Sequence, residues 1–442
     1  MLIHGIFLAV CALAQGPAVV ETIDVARVWA GHPVGFALLT HKGKQFVAYY
    51  DADRDMRVAW RKLDNAHWNF TTLPEKVVWD SHNYITMAVD PADYLHLSGN
   101  MHCVPLVYFR TREPLAPDTF DRAPMVGELE QRVTYPRFIE GPKHSFVFTY
   151  RDGRSGNGDQ IFNTYDVKTK TWRRLLDRPL TSGKGKMNAY FDGPHRGPDG
   201  RFHVCWVWRD TPDCATNHDP CYARSKDLVH WETSDGKPLA LPITIDKAEI
   251  VDPIPPGGGI INGNVRLGFD AKKRAIVSYI KYDADGNTQA FNARFEDGAW
   301  KSRQASDWNY RWAFGGGGAI PFEVNVSGVH PHKKGQLKQT YHHIKQGSGA
   351  WILDAETLEP LGNLEEPPAI PPALGKPSGS FPGLKVRFAG DLGACDEPSA
   401  RYVLRWETLD ANRDRPRDGE LPPPSMLQVI KLDGGDRSDR SD

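Results

Sequence analysis

The chain has 442 residues, with 54 basic and 55 acidic side chains and a formal net charge of −1. This balance argues against nucleic acid or an anionic membrane as a partner of the whole protein. Hydrophobic residues make up 40% of the chain, and its 41 glycines, 34 prolines and 13 tryptophans are typical of a turn-rich β protein with a sizeable core.

The N-terminal residues form an apolar run that is too short to cross a bilayer as a mature helix. Because Ala12-Leu13-Ala14 resembles a cleavage site, residues 1–15 are interpreted as a signal peptide of a secreted or periplasmic protein, although the run lacks Lys and Arg. The alternative is a buried first strand. No later segment predicts membrane insertion, and the charged residues 434–442 are expected to be a disordered tail.

Short period-two runs recur along the chain, bounded by Gly, Pro, Asp and Asn and often followed by a Trp. Seven copies are separated by roughly 45 to 75 residues, a period typical of propeller blades. The copies begin with or contain residues 46–50, 94–109, 145–150, 202–208, 275–279, 337–353 and 401–432.

This period predicts an all-β fold, a single seven-bladed β-propeller over residues 16–433. A four-stranded blade buries both faces only against its neighbours, so closure into a ring would stabilise it. The strand-like residues 19–39 are expected to pair with the last blade and close that ring. A pair of β-sandwiches is the rival architecture, which the regular Trp-ended repeats disfavour.

Residues 80–110 contain three histidines, and imidazoles at strand ends can exchange protons near neutral pH. His82 and His102 are candidates for such a role. His96 alternates with Leu95 and Leu97 and is interpreted as structural. Each histidine taken alone has an ordinary alternative as a hydrogen-bonded core or surface residue.

Arg151 follows a strand-like run and precedes the turn Asp152-Gly153, which predicts a guanidinium exposed at a blade end. Its planar fork could pair both oxygens of a carboxylate, although a local ion pair with Asp152 is the simpler alternative. Tyr135 precedes Pro136, which favours an extended backbone for the tyrosine.

A cluster of thiols and imidazoles follows between residues 203 and 230. His218 and Cys221 are three residues apart, a spacing that can chelate Zn²⁺, and His203 on the adjoining strand could add a third ligand. A fourth ligand would come from Tyr341-His342-His343, with His343 as the candidate. The alternative is a disulfide, Cys205–Cys214 or Cys214–Cys221.

Several short motifs in this order resemble the BNR-4 repeat family, within which the chain looks most like the seven-bladed propeller lyases that cleave ulvan. The motifs are His82-Asn83, Leu95-His96-Leu97-Ser98-Gly99-Asn100-Met101-His102, Thr134-Tyr135-Pro136, Tyr150-Arg151-Asp152-Gly153, Trp208-Arg209 and Asn217-His218-Asp219-Pro220-Cys221. The resemblance implies a polysaccharide substrate containing uronic acid, cleaved by β-elimination.

The resemblance also implies the roles of individual residues. His82, His102, Tyr135 and Arg151 match the catalytic positions, with Arg151 neutralising the uronate carboxylate. Asn83, Tyr190 and Arg209 match substrate-binding positions, and a structural zinc is implied near His218. Which of His82, His102 and Tyr135 is base and which is acid stays open, with His82 preferred as the base.

Two other functions are compatible with these residues. A sialidase-like hydrolase would need a cluster of three arginines, for which Arg110, Arg151 and Arg209 are available, but the usual arginine-containing N-terminal motif is missing. A propeller that binds carbohydrate without turnover would use the same aromatic and arginine side chains only to hold the sugar.

Overall fold

The computed structural model describes residues 16–365, 368–393 and 400–433. The predicted signal peptide, Cys395 and the predicted tail lie outside the described residues. Within them the regular structure consists of strands and five short 3₁₀ helices, Ser81–Asn83, Pro117–Thr119, Pro142–His144, Cys214–Thr216 and Pro372–Gly375. None of the helices found there is long and apolar enough to cross a bilayer.

The strands of the first half of the described chain are short and follow one another closely. In chain order they are β1 (Val19–Val28), β2 (Ala37–His41), β3 (Lys44–Tyr50), β4 (Asp55–Lys62), β5 (Asn69–Lys76), β6 (Thr86–Val89), β7 (Leu95–Ser98), β8 (His102–Val104), β9 (Tyr108–Thr111), β10 (Phe120–Arg122), β11 (Val133–Glu140), β12 (Phe146–Arg154), β13 (Asn157–Asp166), β14 (Thr171–Arg174), β15 (Asn188–Arg196) and β16 (Phe202–Arg209).

The second half continues the same pattern. Its strands are β17 (Asn217–Ser225), β18 (Trp231–Glu232), β19 (Pro238–Leu239), β20 (Glu249–Ile250), β21 (Val265–Phe269), β22 (Ala275–Tyr282), β23 (Thr288–Glu296), β24 (Ala299–Gln304), β25 (Val324–Val326), β26 (His330–Pro331), β27 (Gln336–His343), β28 (Gly347–Asp354), β29 (Pro360–Leu364), β30 (Lys385–Gly390), β31 (Ala400–Thr408) and β32 (Ser425–Asp433).

These strands form seven antiparallel sheets among the described residues. In chain order the sheets are β2-β3-β4-β5, β6-β7-β9-β10, β8-β11-β12-β13-β14, β15 to β19 with β20 beside β17, β21 to β24, β25-β27-β28-β29 with β26 beside β27, and β30-β31-β32-β1. The fold is therefore all-β, as predicted, and its sheets follow one another along the sequence.

The N-terminal strand completes the last sheet. β1 pairs antiparallel with β32, with Val19 opposite Leu432 and Val28 opposite Ser425. The predicted strand-like segment is divided, because residues 37–39 belong to β2 and start the first sheet instead. The pairing of β1 with β32 therefore joins the first and last parts of the fold.

Hydrophobic side chains fill the spaces between neighbouring sheets. β16 is buried along its whole length, whereas β5 at the edge of the first sheet is largely exposed. The strands that come first or second along the chain in each sheet contact those of a neighbouring sheet: β2 contacts β6, β6 contacts β11, β15 contacts β21, and β2 contacts β30. The four larger core clusters lie along these contacts, so each sheet is stabilised mainly by the sheets beside it.

Hairpin turns are stabilised locally by polar residues. Ser225 Oγ accepts from the Leu228 N–H at 2.9 Å, and Asp227 Oδ1 accepts from the His230 N–H at 2.8 Å, before the buried Trp231. In the β23–β24 hairpin Asp297 and Gly298 have φ of 50° and 82°, the positive values that a two-residue turn of the primed type requires. The turns that precede Trp231 and Trp300 are thus stabilised by residues within the turn itself.

Candidate active site

The turn before β6 carries the first imidazole of the site. Asp80 precedes the 3₁₀ helix Ser81–Asn83, and its Oδ1 accepts from the His82 backbone N–H at 2.9 Å. The same oxygen lies 2.7 Å from His82 Nδ1. Asp is well suited to this place because its short carboxylate reaches N–H groups two residues further on. One carboxylate therefore fixes both the turn and the imidazole.

His102 brings the second imidazole to the same carboxylate. It begins β8, which pairs with β11 in the third sheet, where His102 lies opposite Thr134. His102 Nδ1 is 2.5 Å from Asp80 Oδ2. The rings of His82 and His102 stack with centroids 4.0 Å apart and planes inclined at 26°. Asp80 thus holds two imidazoles by their Nδ1 atoms.

The charges of this group follow from its contacts. Burial disfavours the charged form of His102, but hydrogen bonds to Asp80 and to Cys103 outweigh burial and raise the pKa of His102 to about 9. Burial favours the neutral acid at Asp80, yet hydrogen bonds from His102 and His82 hold the pKa of this carboxyl well below its usual range. At neutral pH the site therefore contains an ionised Asp80 and a protonated His102.

Tyr135 lies at an irregularity of β11, and its backbone differs from the prediction. The pairing of β11 with β12 shifts register between Thr134 and Arg137, and Tyr135 has φ of 60° instead of the extended value expected before Pro136. A non-glycine residue in this region costs on the order of 1–3 kcal/mol, and such residues cluster at functional sites. The bulge turns the phenol towards His82, with ring centroids 5.5 Å apart.

Arg151 on β12 is buried, contrary to the prediction of an exposed guanidinium, with 2% of its surface accessible. Its Nη2 donates to Thr134 Oγ1 at 3.1 Å, and its guanidinium carbon lies 5.0 Å from the centroid of the Tyr135 ring. Among the described residues, the Nε of Arg151 has no hydrogen-bond partner. The ion pair with Asp152 considered from the sequence is not formed, since Asp152 lies 3.7 Å from Arg132 instead.

Tyr190 on β15 lies between two guanidinium groups. Arg151 Nη1 is 3.5 Å and Arg209 Nη1 is 3.4 Å from its hydroxyl, and Ser155 Oγ is 2.8 Å away. Burial would raise the pKa of Tyr190, but the positive charges of Arg151 and Arg209 outweigh burial and lower this pKa. For Tyr135, by contrast, burial dominates and raises the pKa well above the usual range. The two phenols therefore differ in acidity.

A cavity of roughly 260 Å³ adjoins these phenols. It is lined by residues of the third and fourth sheets and of the loops before β6 and β21, among them Tyr84, Tyr135, Arg137, Gln160, Tyr190 and Asn262. Its aromatic and hydrogen-bonding walls are of the kind that hold sugars, whose rings have an apolar face and polar edges.

The other predicted residues are placed less directly at the site. Asn83 is 3% exposed, and its carbonyl accepts from the Tyr50 hydroxyl at 2.7 Å. His96 is fully buried between Asp90 and the Tyr108 hydroxyl, as its interpretation as structural requires. Arg110 donates to the Tyr165 hydroxyl at 2.9 Å and to a backbone carbonyl, so it does not join the two arginines at Tyr190.

The four predicted zinc ligands do not fit a tetrahedral site as the structure places them. Both ring nitrogens of His203 are in hydrogen bonds, one with the Tyr222 hydroxyl and one with Asp199. Both ring nitrogens of His218 are likewise in hydrogen bonds, with Asp219 and Asp210. The buried Cys221 Sγ donates to the Asp219 carbonyl at 3.3 Å.

His343 points inwards, as predicted, but packs against Trp308 and Tyr310. Throughout the described ranges, three or more possible ligands converge at Asp80, His82 and His102 alone. Cys205, Cys214 and Cys221 are free thiols, so neither of the disulfides considered from the sequence is formed.

Three residues at the site were not singled out from the sequence. Asp80 could have been found from its spacing, because an Asp two residues before a His can cap a turn and hold the imidazole. Cys103 has its Sγ 3.5 Å from Arg151 Nη2, and Asp414 has Oδ2 3.5 Å from His82 Nδ1. No local pattern marks Asp414, because its contacts to the site are made across the fold.

A sequence profile described as "BNR repeat-containing family member" matches residues 44–308, more than half of the chain. The matched region includes every residue of the site described above except Asp414.

Curated relatives match a shorter part of the chain. The long isoform of ulvan lyase from Alteromonas sp. (strain LOR) is 25% identical over 151 residues, which are 31% of this chain and 15% of the relative. The corresponding protein of Pseudoalteromonas sp. (strain PLSV) is 26% identical over 144 residues, or 29% of this chain and 14% of the relative. The matched part is therefore a small fraction of these longer proteins.

Solved structures match almost the whole chain in shape. The crystal structure of polysaccharide lyase Uly1 has a TM-score of 0.63 at 14% identity and covers 94% of this chain and 99% of that one. A PL25 ulvan lyase has a TM-score of 0.60 at 12% identity, covering 94% and 96%, and was also solved bound to -[GlcA(1-4)Rha3S]-. At this identity the likeness shows a shared fold.

Proposed function

Since the chain belongs to the BNR repeat-containing family and shares the fold of solved ulvan lyases, we propose that it is a polysaccharide lyase. Its substrate would be an anionic, ulvan-like polysaccharide that contains uronic acid. The observation that carries the proposal is the convergence of two imidazoles, two phenols and a buried guanidinium: His82 lies against His102 and Tyr135, and Arg151 lies against Tyr135.

β-Elimination needs these three kinds of group. A base removes the proton from C5 of the uronate, a cation paired with the carboxylate stabilises the negative charge that develops, and an acid protonates O4 as the C4–O4 bond breaks. The products are an unsaturated uronate with a C4–C5 double bond and a chain with a new hydroxyl end. Neither oxidation nor hydrolysis takes place, so no further reactant is required.

We assign the base to His82. Its Nδ1 faces Asp80, so the Nε2 of the neutral ring is the atom available to accept the C5 proton. Asp80 would also stabilise the imidazolium that forms. The neighbouring His102 is protonated at neutral pH because its pKa is raised to about 9, which makes it a poor base and a suitable positive charge for orienting an anionic sugar.

We assign the acid to Tyr135 and the carboxylate contact to Arg151. Burial raises the pKa of Tyr135 well above its usual range, so the hydroxyl keeps its proton until a leaving oxygen needs it. Arg151 supplies a buried charge whose Nε has no hydrogen-bond partner among the described residues, and a guanidinium is the side chain best suited to a carboxylate. Because Arg151 is 2% exposed, this contact would require its guanidinium to become accessible when substrate binds. Tyr190 and Arg209 extend this positive region and are proposed to bind substrate. For the buried Asn83 such a role would require its side chain to become accessible.

The decisive assay detects the C4–C5 double bond of the expected product. Purified protein incubated with ulvan and other uronate polysaccharides is expected to generate the ultraviolet absorbance of the unsaturated uronate. New reducing ends without this absorbance would indicate the sialidase-like hydrolase, which the position of Arg110 away from Tyr190 disfavours. Retained binding without either product would indicate a carbohydrate-binding protein and would overturn the proposed enzyme.

We further propose that residues 16–433 form one seven-bladed propeller. The succession of seven sheets, their contacts in chain order and the pairing of β1 with β32 support a ring closed by the N-terminal strand. A single cooperative unfolding transition is expected. Two transitions that respond separately to mutations in different sheets would contradict this proposal.

Export of the protein and a bound structural zinc are proposals that rest on the sequence and on the resemblance. For export, the mature N-terminus recovered from medium or periplasm should lie near residue 16, whereas a cytoplasmic protein that keeps Met1 would contradict it. Zinc would require His218 and Cys221 to exchange their present partners for the metal, and no step of the proposed reaction depends on it.

A further inference from the structure

Asp414 lies in the connection between β31 and β32, yet its carboxylate contacts the turn that holds His82. Its Oδ1 accepts from the Ser81 N–H at 3.0 Å and from Ser81 Oγ at 2.8 Å. Its Oδ2 accepts from the Ala319 N–H at 2.7 Å and lies 3.5 Å from His82 Nδ1. With 8% of its side chain exposed, Asp414 joins the last sheet to the candidate active site.

The surrounding backbone is shaped to hold this carboxylate in place. Arg413 and Asp414 both have positive φ, 56° and 54°, a conformation that is costly for residues with side chains. Arg413 Nη1 donates to the Gly315 carbonyl at 2.5 Å, and its N–H donates to the Ala319 carbonyl at 3.1 Å. A Cβ at Gly318 would come within 2.3 Å of the Arg413 carbonyl oxygen, so the close approach of the two loops requires glycine there.

The groups that face His82 define what Asp414 can do. Asp80 lies at the Nδ1 edge of the ring, His102 covers one face, and Tyr135 packs at an inclined angle. Asp414 adds a second carboxylate on the Nδ1 side, and its other oxygen lies 3.3 Å from His32 Nε2. Asp80 Oδ1 accepts the ring proton at 2.7 Å, and the negative charge of Asp414 at 3.5 Å further favours a proton on Nδ1.

We propose that Asp414 is a positioning residue for the elimination, a proposal that rests on the proposed function. Together with Asp80 it keeps the proton of neutral His82 on Nδ1, so that Nε2 presents its lone pair to the C5–H of the uronate. Its negative charge also stabilises the imidazolium that forms when that proton is taken. The C-terminal connection thereby completes a site that is otherwise built from the turn before β6 and from the third and fourth sheets.

The kinetic test compares Asp414→Asn with a matched control. Asp391→Asn removes another carboxylate that joins two sheets, where Oδ1 accepts from the Thr40 N–H at 2.8 Å without contacting an imidazole. We expect Asp414→Asn to lower kcat about 10- to 100-fold with KM changed less than twofold, because the charge acts on the base. Asp391→Asn should keep kcat within twofold. Equal losses of kcat in the two variants, or unchanged kcat in Asp414→Asn, would overturn the proposal.

A second measurement does not depend on activity. Two-bond ¹⁵N–¹H spectra of the histidine side chains distinguish the tautomers, and comparison with His82→Gln assigns the His82 signals. We expect an Nδ1–H ring in the wild type, where Asp80 Oδ1 lies 2.7 Å from that nitrogen, and a larger fraction of the Nε2–H tautomer in Asp414→Asn, where the second negative charge is lost. If the wild type forms no unsaturated uronate, the proposed function fails, and the spectra alone then test whether Asp414 controls the tautomer of His82. The same tautomer in both proteins would then overturn the role of Asp414.

Discussion

The rings of His82 and His102 stack 4.0 Å apart while the Nδ1 atoms of both face the single carboxylate of Asp80. Burial opposes the charged form of His102, but its hydrogen bonds to Asp80 and Cys103 raise its pKa to about 9. Asp80 compensates for one positive charge. The pair therefore suits a division of roles in which His102 holds a charge and His82 exchanges a proton.

Replacing His82 by Ala is expected to lower kcat about 10²- to 10⁴-fold, because a positioned general base contributes about this factor to the rate. The measurement is the initial rate of unsaturated uronate formation, with circular dichroism to verify folding. His144→Ala is the matched control, since His144 also pairs with a carboxylate but its side chain is 86% exposed. Wild-type activity in His82→Ala would remove His82 from the mechanism.

Replacing Arg151 by Lys is expected to lower kcat/KM at least 100-fold although the charge is kept. The planar guanidinium of Arg151 contacts both Thr134 and Tyr190, and the single ammonium group of a lysine cannot keep both contacts while it also pairs with a carboxylate. Arg110→Lys provides the comparison, because Arg110 also donates to a tyrosine hydroxyl, that of Tyr165. Similar losses in both variants would indicate a general effect on stability and would argue against a specific contact between Arg151 and the uronate.

The ion pair between His102 and Asp80 should make the free energy of unfolding depend on pH. The pKa of His102 is raised from 6.5 in the unfolded chain to about 9, so its stabilising effect is complete below pH 6.5 and is lost as the pH rises through 9. The pKa of Cys103 is lowered to about 7: burial opposes the thiolate, but His102 and Arg151 outweigh it. Ionisation of Cys103 then adds stability between pH 7 and 9, in the opposite sense.

These opposing effects can be separated by mutation. In Cys103→Ser, the free energy of unfolding should fall between pH 6.5 and 9, as urea titrations would measure, but by less than the wild-type pKa of His102 implies, because Cys103 contributes to raising that pKa. The double variant Cys103→Ser/His102→Gln should lose this fall, and so should Cys103→Ser/Asp80→Asn. A pH dependence that persists in both double variants would mean that other groups cause it.

The zinc proposal predicts about one equivalent of zinc in protein purified without added metal. His218→Gln should release the metal and lower the melting temperature, whereas His230→Gln should do neither, because the side chain of His230 is 88% exposed and pairs with Asp227. Protein free of zinc that melts at the same temperature with and without a chelator would agree with the hydrogen-bonded partners of His203 and His218 and would exclude a structural metal.

The sequence by itself determined the all-β class and the succession of short strands bounded by polar turns. These properties follow from local alternation of apolar residues and from turn residues such as Asp297 and Gly298, whose conformations depend on a few neighbours. The motifs also identified His82, His102, Tyr135 and Arg151, which the structure brings together.

Only the tertiary structure decided how these residues are held. The shared carboxylate of Asp80, the positive φ of Tyr135, the burial of Arg151 and the arrival of Asp414 from the last sheet all depend on the packing of sheets far apart in sequence. The spacing of His218 and Cys221 predicts a metal site, and the structure shows which carboxylates and which carbonyl are the present partners of these side chains. Sequence spacing limits which groups can meet, and long-range packing determines which of them do.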